Sequence, residues 1–150
     1  MSNPCTFKIN EVVFGVTSTD ILFHMSTEEI HHNLPPNTRL RRIGQHVLQQ
    51  RSYYPLFPPP AHSATNIDLK HIDHWKLPSR PDVLILPSKL KAMATTDLLD
   101  GSTVIVNPGC LTRATSGGTY AVMEIHPFRQ EILDNEIGRA SCRERVSIAV

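Results

Sequence analysis

The chain has 150 residues, 40% hydrophobic and 19% charged, with a formal net charge of +1. That leaves room for one domain, excludes a disordered polyampholyte or a coiled coil, and argues against a protein held to nucleic acid mainly by charge. No run approaches the ~20 apolar residues of a membrane span. Cys5, Cys110 and Cys142 are too few and too scattered for a disulfide framework or a four-ligand zinc site. They fit a reducing intracellular compartment, and Met1 to Asn10 lacks the basic-then-apolar order of a secretory leader.

Glu11 to Val16 is short, β-branched and aromatic, and predicts a strand. Thr17-Ser18-Thr19-Asp20 then offers side-chain oxygens to cap a helix that carries Ile21, Leu22 and Phe23. Ser26-Thr27-Glu28-Glu29 has the pattern of a capping box, which starts a new turn or continues the first helix. A proline-containing break follows at Asn33 to Asn37. From Thr38 to Arg51, Leu40, Ile43, Val47 and Leu48 recur at helical spacing, with Arg39, Arg41 and Arg42 mainly on the other side. Gly44 sits inside this amphipathic helix at a cost of ~1 kcal/mol relative to alanine.

Eight of the twelve prolines lie between Pro35 and Pro81. Tyr53-Tyr54-Pro55-Leu56-Phe57-Pro58-Pro59-Pro60 is a stiff apolar connection, because proline removes amide donors and fixes φ. Asp82 to Leu86 and Thr103 to Asn107 are continuous apolar runs that suit strands buried on both faces. Tyr120 to Ile125 reads as a third strand after a Ser116-Gly117-Gly118 turn. Strand, two helices, a long Pro-rich loop and three strands amount to half of a layered α/β domain.

Several residues invite chemistry. His71 and His74, with Asp68 or Asp73, have metal-ligand character, against a plain reading of a solvated loop whose Trp75 packs inward. His31-His32 lies beside a break and is a weaker candidate. Arg39, Arg41 and Arg42 would contact phosphate or line a solvated helix face. Gly117-Gly118 is too short to cradle a nucleotide, and no P-loop, GxGxxG or GxSxG is present. Cys110 has no paired base and reads as a small buried residue.

Four stretches carry a resemblance. They are Val12-Val13-Phe14-Gly15-Val16-Thr17-Ser18-Thr19-Asp20-Ile21-Leu22-Phe23-His24, Gln50-Arg51-Ser52-Tyr53-Tyr54-Pro55-Leu56-Phe57-Pro58-Pro59, Pro81-Asp82-Val83-Leu84-Ile85-Leu86-Pro87-Ser88 and Val106-Asn107-Pro108-Gly109-Cys110-Leu111-Thr112. In this order and spacing they resemble the C-terminal part of the B subunits of replicative DNA polymerases, those of the polymerase alpha–primase complex in particular.

The resemblance implies an α/β fold, the C-terminal half of a calcineurin-like metallophosphoesterase sandwich of mixed sheets flanked by helices, cut short, over residues 1–135. It also implies a non-catalytic scaffold in the nucleus, holding the DNA polymerase alpha catalytic subunit and, through it, primase. DNA would be reached only through the complex, with no membrane, cofactor, metal or catalytic residue of its own. Active relatives place metal-binding histidines where this chain has Phe14 and Pro87-Ser88-Lys89-Leu90, and phenylalanine, serine and leucine cannot replace imidazole as ligands. The rival is a divergent metal-dependent phosphoesterase whose ligands have moved to His24, His71, His74 or His126. The Pro-rich loop has two readings: Tyr53, Tyr54, Leu56 and Phe57 line a groove for a partner, or they cover the chain's own sheet.

Glu136 to Val146 resembles, over all eleven residues, one reading frame of a common sequencing adapter. Residues 136–150 are therefore expected to be a non-native tail that packs on nothing, with the natural C-terminus missing. Without them the chain is formally neutral, with twelve basic and twelve acidic residues.

Overall fold

The computed structural model describes residues 2–126, apart from 34, 37, 62, 64, 66, 98, 100 and 114, together with the backbone of 146–149. Five strands form one mixed sheet: β1 Cys5–Ile9, β2 Val12–Val16, β3 Val83–Ile85, β4 Met93–Thr96 and β5 Val104–Asn107. Their order across the sheet is β1-β2-β3-β5-β4. The central three are parallel, with Phe14 opposite Val83 and Leu84 opposite Ile105, and an antiparallel strand closes each edge.

The apolar runs predicted as buried strands are the centre of this sheet. Their side chains alternate across it. Leu84, Leu86 and Ile105 join Ile21, Leu22, Ile43, Val47 and Tyr53 on one face, while Val83, Val104 and Val106 join Val12 and Phe14 on the other. Burial on both faces is why the sequence shows unbroken apolar runs instead of alternation. The edge strands β1 and β4 leave no such trace. Neither holds a fully buried residue, so neither carries that signature.

Helix α1, Ile21–Glu28, starts where the side-chain oxygens suggest: the Asp20 carboxylate accepts from the amide of Phe23. The capping box does not form. Ser26 Oγ donates back to the carbonyl of Phe23, and Glu29 ends the helix and turns to arginines instead. Helix α2, Arg39–Gln49, lies where its periodicity places it and buries Ile43, Val47 and Leu48. Gly44 has a packing reason: a Cβ there would stand 3.0 Å from Ile105 Cγ2, so the helix lies almost directly on β5.

A kinked 3-10 helix, Leu69–Trp75, occupies the stretch read as a solvated loop, and Trp75 is half-buried. Ser116–Gly117 is not a turn. It is strand β7, paired with β6, Thr112–Arg113. Strand β8, Val122–Ile125, appears as predicted but stays outside the main sheet and pairs with β9, Val146–Ala149. The expectation that 136–150 packs on nothing fails for these four residues. Backbone pairing asks only for an extended partner, and Val-Ser-Ile-Ala supplies one. Residues 136–145 lie outside those described.

Candidate functional site

Parallel strands β2, β3 and β5 end on the same side, where open α/β sheets present their ligand sites. Three loops meet there: Thr17 to Asp20 after β2, Leu86 to Leu90 after β3, and Asn107-Pro108-Gly109 at the end of β5. Asn107 is fully buried and organises the edge. Its Oδ1 accepts from the amides of Ser88 at 2.8 Å and Gly109 at 2.9 Å. Its Nδ2 donates to the carbonyls of Lys91 at 3.1 Å and Leu90 at 3.4 Å. Gly109 follows at φ +76°, a conformation few other residues tolerate. A backbone-shaping role for this turn agrees with its residue types. That the Asn107 side chain also shapes a second loop, nineteen residues away, has no signal in the sequence.

The first loop is tied to the second through Asp20, which caps α1 with one carboxylate oxygen and accepts from the amide of Lys89 at 3.0 Å with the other. The Lys89 ammonium lies 3.5 Å from the centroid of the Phe23 ring, a cation–π contact. Beside it His24 Nδ1 and the Tyr54 hydroxyl are 3.1 Å apart. Phe14 stands apart from this edge. It packs in the apolar cluster on the far face of the sheet, stacked on Phe7 with ring centroids 5.3 Å apart.

This donor set does not fit metal ions. The edge presents a committed amide, a carboxylate held by two backbone amides, and an ammonium ion. Among the described residues, no three His, Cys, Asp or Glu side chains gather as a metal site. His24 lies against Tyr54. His71 contacts His74 and Asp68 on the exposed 3-10 helix, where its hydrogen bond holds the Asp68 carboxyl below its usual pKa. His126 lies 3.9 Å from Glu124, just past the end of β8. Cys5 and Cys110 are both half-buried.

The arginines of α2 are engaged within the fold, although Arg39 also stays exposed to solvent. Arg39 and Arg42 both pair with Glu29, and Arg41 donates to the carbonyls of Thr96 at 2.6 Å and Asp97 at 2.8 Å. Burial pushes the Glu29 carboxyl up, but the hydrogen bonds and charges of Arg42 and Arg39 together hold it below its ordinary value. These pairs fasten the end of α1 and the end of β4 to one helix.

The Pro-rich loop separates into two parts. Tyr53 is 2% exposed and belongs to the core. Its hydroxyl donates to the carbonyl of Cys5 at 2.8 Å and meets Thr6 Oγ1 at 2.6 Å, and burial raises its pKa. It also lies 2.8 Å from where a Cβ on residue 15 would stand, which is why β2 carries Gly15. Nearly all of the Tyr53 surface is covered by its own chain. Tyr54 and Leu56 are half-buried against the same core, and burial raises the Tyr54 pKa too. Phe57 is 75% exposed.

A family model for the B subunit of DNA polymerases alpha and epsilon matches residues 1–95. The B subunit of DNA polymerase alpha from Mus musculus is 45% identical over 121 residues, covering 80% of this chain and 19% of the relative. The protein of that name in Schizosaccharomyces pombe is 41% identical over 138 residues, covering 89% of this chain and 23% of the relative. In Drosophila melanogaster the identity is 29% over 143 residues, covering 95% and 22%. The chain thus spans about a fifth of the length of these relatives. With the four sequence stretches folded into one sheet and its loops, these matches show that the chain belongs to the family of DNA polymerase alpha and epsilon B subunits.

Proposed function

We propose that the chain is part of a non-catalytic accessory subunit of the DNA polymerase alpha–primase complex. It acts in the nucleus, in the initiation of DNA replication, by tethering the polymerase catalytic subunit and, through it, primase. Its fold is the C-terminal half of an inactive calcineurin-like phosphoesterase sandwich over 1–135, with an adapter-derived tail at 136–150. The observation that carries the non-catalytic reading is the use of Asn107: all four of its hydrogen bonds go to main-chain groups of the protein. A two-metal phosphoesterase needs side chains free to hold two ions ~3.5–4 Å apart. Here the loops are held by an amide, and the positions of the relatives' histidines carry Phe14 in an apolar cluster and a Ser88-Lys89 turn tied to Asn107 and Asp20.

The test is co-expression of the complete accessory protein with the polymerase catalytic subunit. A stable one-to-one complex, without bound manganese or zinc and without phosphodiesterase turnover, is the expected result. Stoichiometric metal with turnover would instead establish the divergent metal-dependent phosphoesterase. Reading the genomic coding sequence past residue 135 decides the tail, because a natural exon encoding Glu136 to Val146 would end the adapter assignment.

A further inference from the structure

We propose that edge strand β4, with Asp97 at its end, is a strap that opens locally while the rest of the sheet stays folded, and that Arg41 and Asp97 form the clasp that keeps it closed. The two edges of the sheet are held by different means. Strand β1 joins β2 through a tight hairpin, stacks Phe7 on Phe14, and accepts the Tyr53 hydroxyl at the Cys5 carbonyl. Strand β4 has no comparable apolar hold. Ala94 is exposed, Thr95 and Thr96 are half-buried, and of its four residues only Met93 packs against the apolar core. Segments with few buried apolar contacts are the ones that open at the lowest free energy.

What β4 lacks in burial it has in charge-assisted hydrogen bonds at one end. The half-buried Arg41 reaches across from α2 and donates to the carbonyls of Thr96 at 2.6 Å and Asp97 at 2.8 Å. The Asp97 side chain is fully buried. Its carboxylate accepts from the amides of Leu99 and Thr103, each at 2.8 Å, and pairs with Arg80 at 3.0 Å. Before the strand, Asn107 donates to the carbonyls of Leu90 and Lys91, which fixes the chain where β4 begins. The strap therefore turns about Lys91 and is fastened at Asp97. Opening it would bare the edge of β5 along Val104, Ile105 and Val106, and an unpaired apolar edge is a template for another strand. The clasp keeps that edge covered.

The experiment is native-state hydrogen exchange on the complete accessory protein in low, rising urea, as wild type, Arg41→Met, Arg41→Lys and Val12→Ala. In the wild type, the hydrogen-bonded amides of β4 and Asp97 are expected to exchange together and faster than those of β3. Their urea dependence should be the weaker, because a local opening exposes little surface. Arg41→Met should speed that exchange about tenfold to a hundredfold, the loss expected for hydrogen bonds to a charged group. Arg41→Lys should speed it less, since lysine keeps the charge without the planar fork. Val12 lies in the apolar cluster on the opposite face. Val12→Ala should speed exchange in β3 and leave β4 at its wild-type rate, because the open form keeps that cluster intact. Exchange of β4 at the rate and urea dependence of β3 would mean that it opens only with the whole sheet, and overturns the strap. So would an unchanged β4 rate in Arg41→Met, or a β4 rate raised by Val12→Ala as much as that of β3.

Discussion

The two faces of the sheet are built differently. On one, α1, α2 and Tyr53 lay a continuous apolar layer over Leu84, Leu86 and Ile105, a layer drawn from the stretch between β2 and β3. On the other, Val12, Phe14, Val83, Val104 and Val106 are packed by Phe7 from an edge strand and by Ala121 and Met123 from the region of β8. The helical face approaches closely at two glycines, where an added methyl group would crowd the Tyr53 hydroxyl at Gly15 and Ile105 at Gly44. The opposite face has stacked rings and valines but no helix laid across it among the described residues. In the proposed sandwich, that is the face where the second sheet would lie. The difference teaches that equal burial does not mean equal rigidity: one face is fixed by interlocking elements and the other by single side chains from separate segments.

Paired core truncations give the largest effect. Ile105→Ala is expected to cost about 4 kcal/mol and Phe14→Ala about 3 kcal/mol, although phenylalanine is the larger side chain and such truncations usually cost ~3–5 kcal/mol. Urea denaturation of the complete protein measures both, and a greater loss at Phe14 would reverse the ranking of the faces. Next comes Gly15→Ala. Its methyl group would meet the Tyr53 hydroxyl and is expected to cost about 2 kcal/mol by overpacking. Tyr53→Phe alone should cost about 1 kcal/mol for its lost hydrogen bonds. The double variant should lose less than the sum, and strict additivity would mean that the hydroxyl and Gly15 are not in contact.

Gly44→Ala sharpens the comparison by its sign. In an open helix alanine gains ~1 kcal/mol. Here the contact with Ile105 should turn that gain into a net loss of about 1 kcal/mol, read from the same denaturation midpoint. A stabilised variant would show that α2 has room to move off the sheet. The smallest effect is the acid limb of the stability curve. The Glu29 pKa is lowered in the fold, so its contribution is fully present above its unfolded value of ~4.3 and is lost as pH falls through the lower folded value. Glu29→Gln should flatten stability below about pH 4.3 and leave the neutral plateau with the same slope. An unchanged acid limb would remove Arg39 and Arg42 from the account of how α1 is fastened.

What was legible in the sequence follows the same division. The central strands and α2 announced themselves through apolar runs and helical period, since those patterns record burial directly. A cap somewhere in Thr17 to Asp20 was legible because capping is local, and the fold selects Asp20. Strands β1 and β4 were not, because an edge strand is half wet and its pattern fades. The fate of the arginines depended on Glu29 and on the Thr96 and Asp97 carbonyls, which lie ten to fifty-six residues away along the chain. The loop read as one candidate interface held two kinds of aromatic. Tyr53 and Phe57 look alike in composition, and only the fold distinguishes the side chain that closes the core from the one that faces out.

Asn107 has one more consequence, in the chemistry of ageing. Asparagine side chains are slowly converted to aspartate when the next residue's backbone nitrogen attacks the side-chain carbonyl and forms a cyclic imide. At this site the product would be damaging, since an aspartate cannot donate to the carbonyls of Leu90 and Lys91. The next residue is Pro108, whose backbone nitrogen carries no hydrogen. The amide that joins the two loops is therefore followed by the residue type that blocks its own decay, and the latch should outlast the exposed Asn10 and Asn33, which no proline follows.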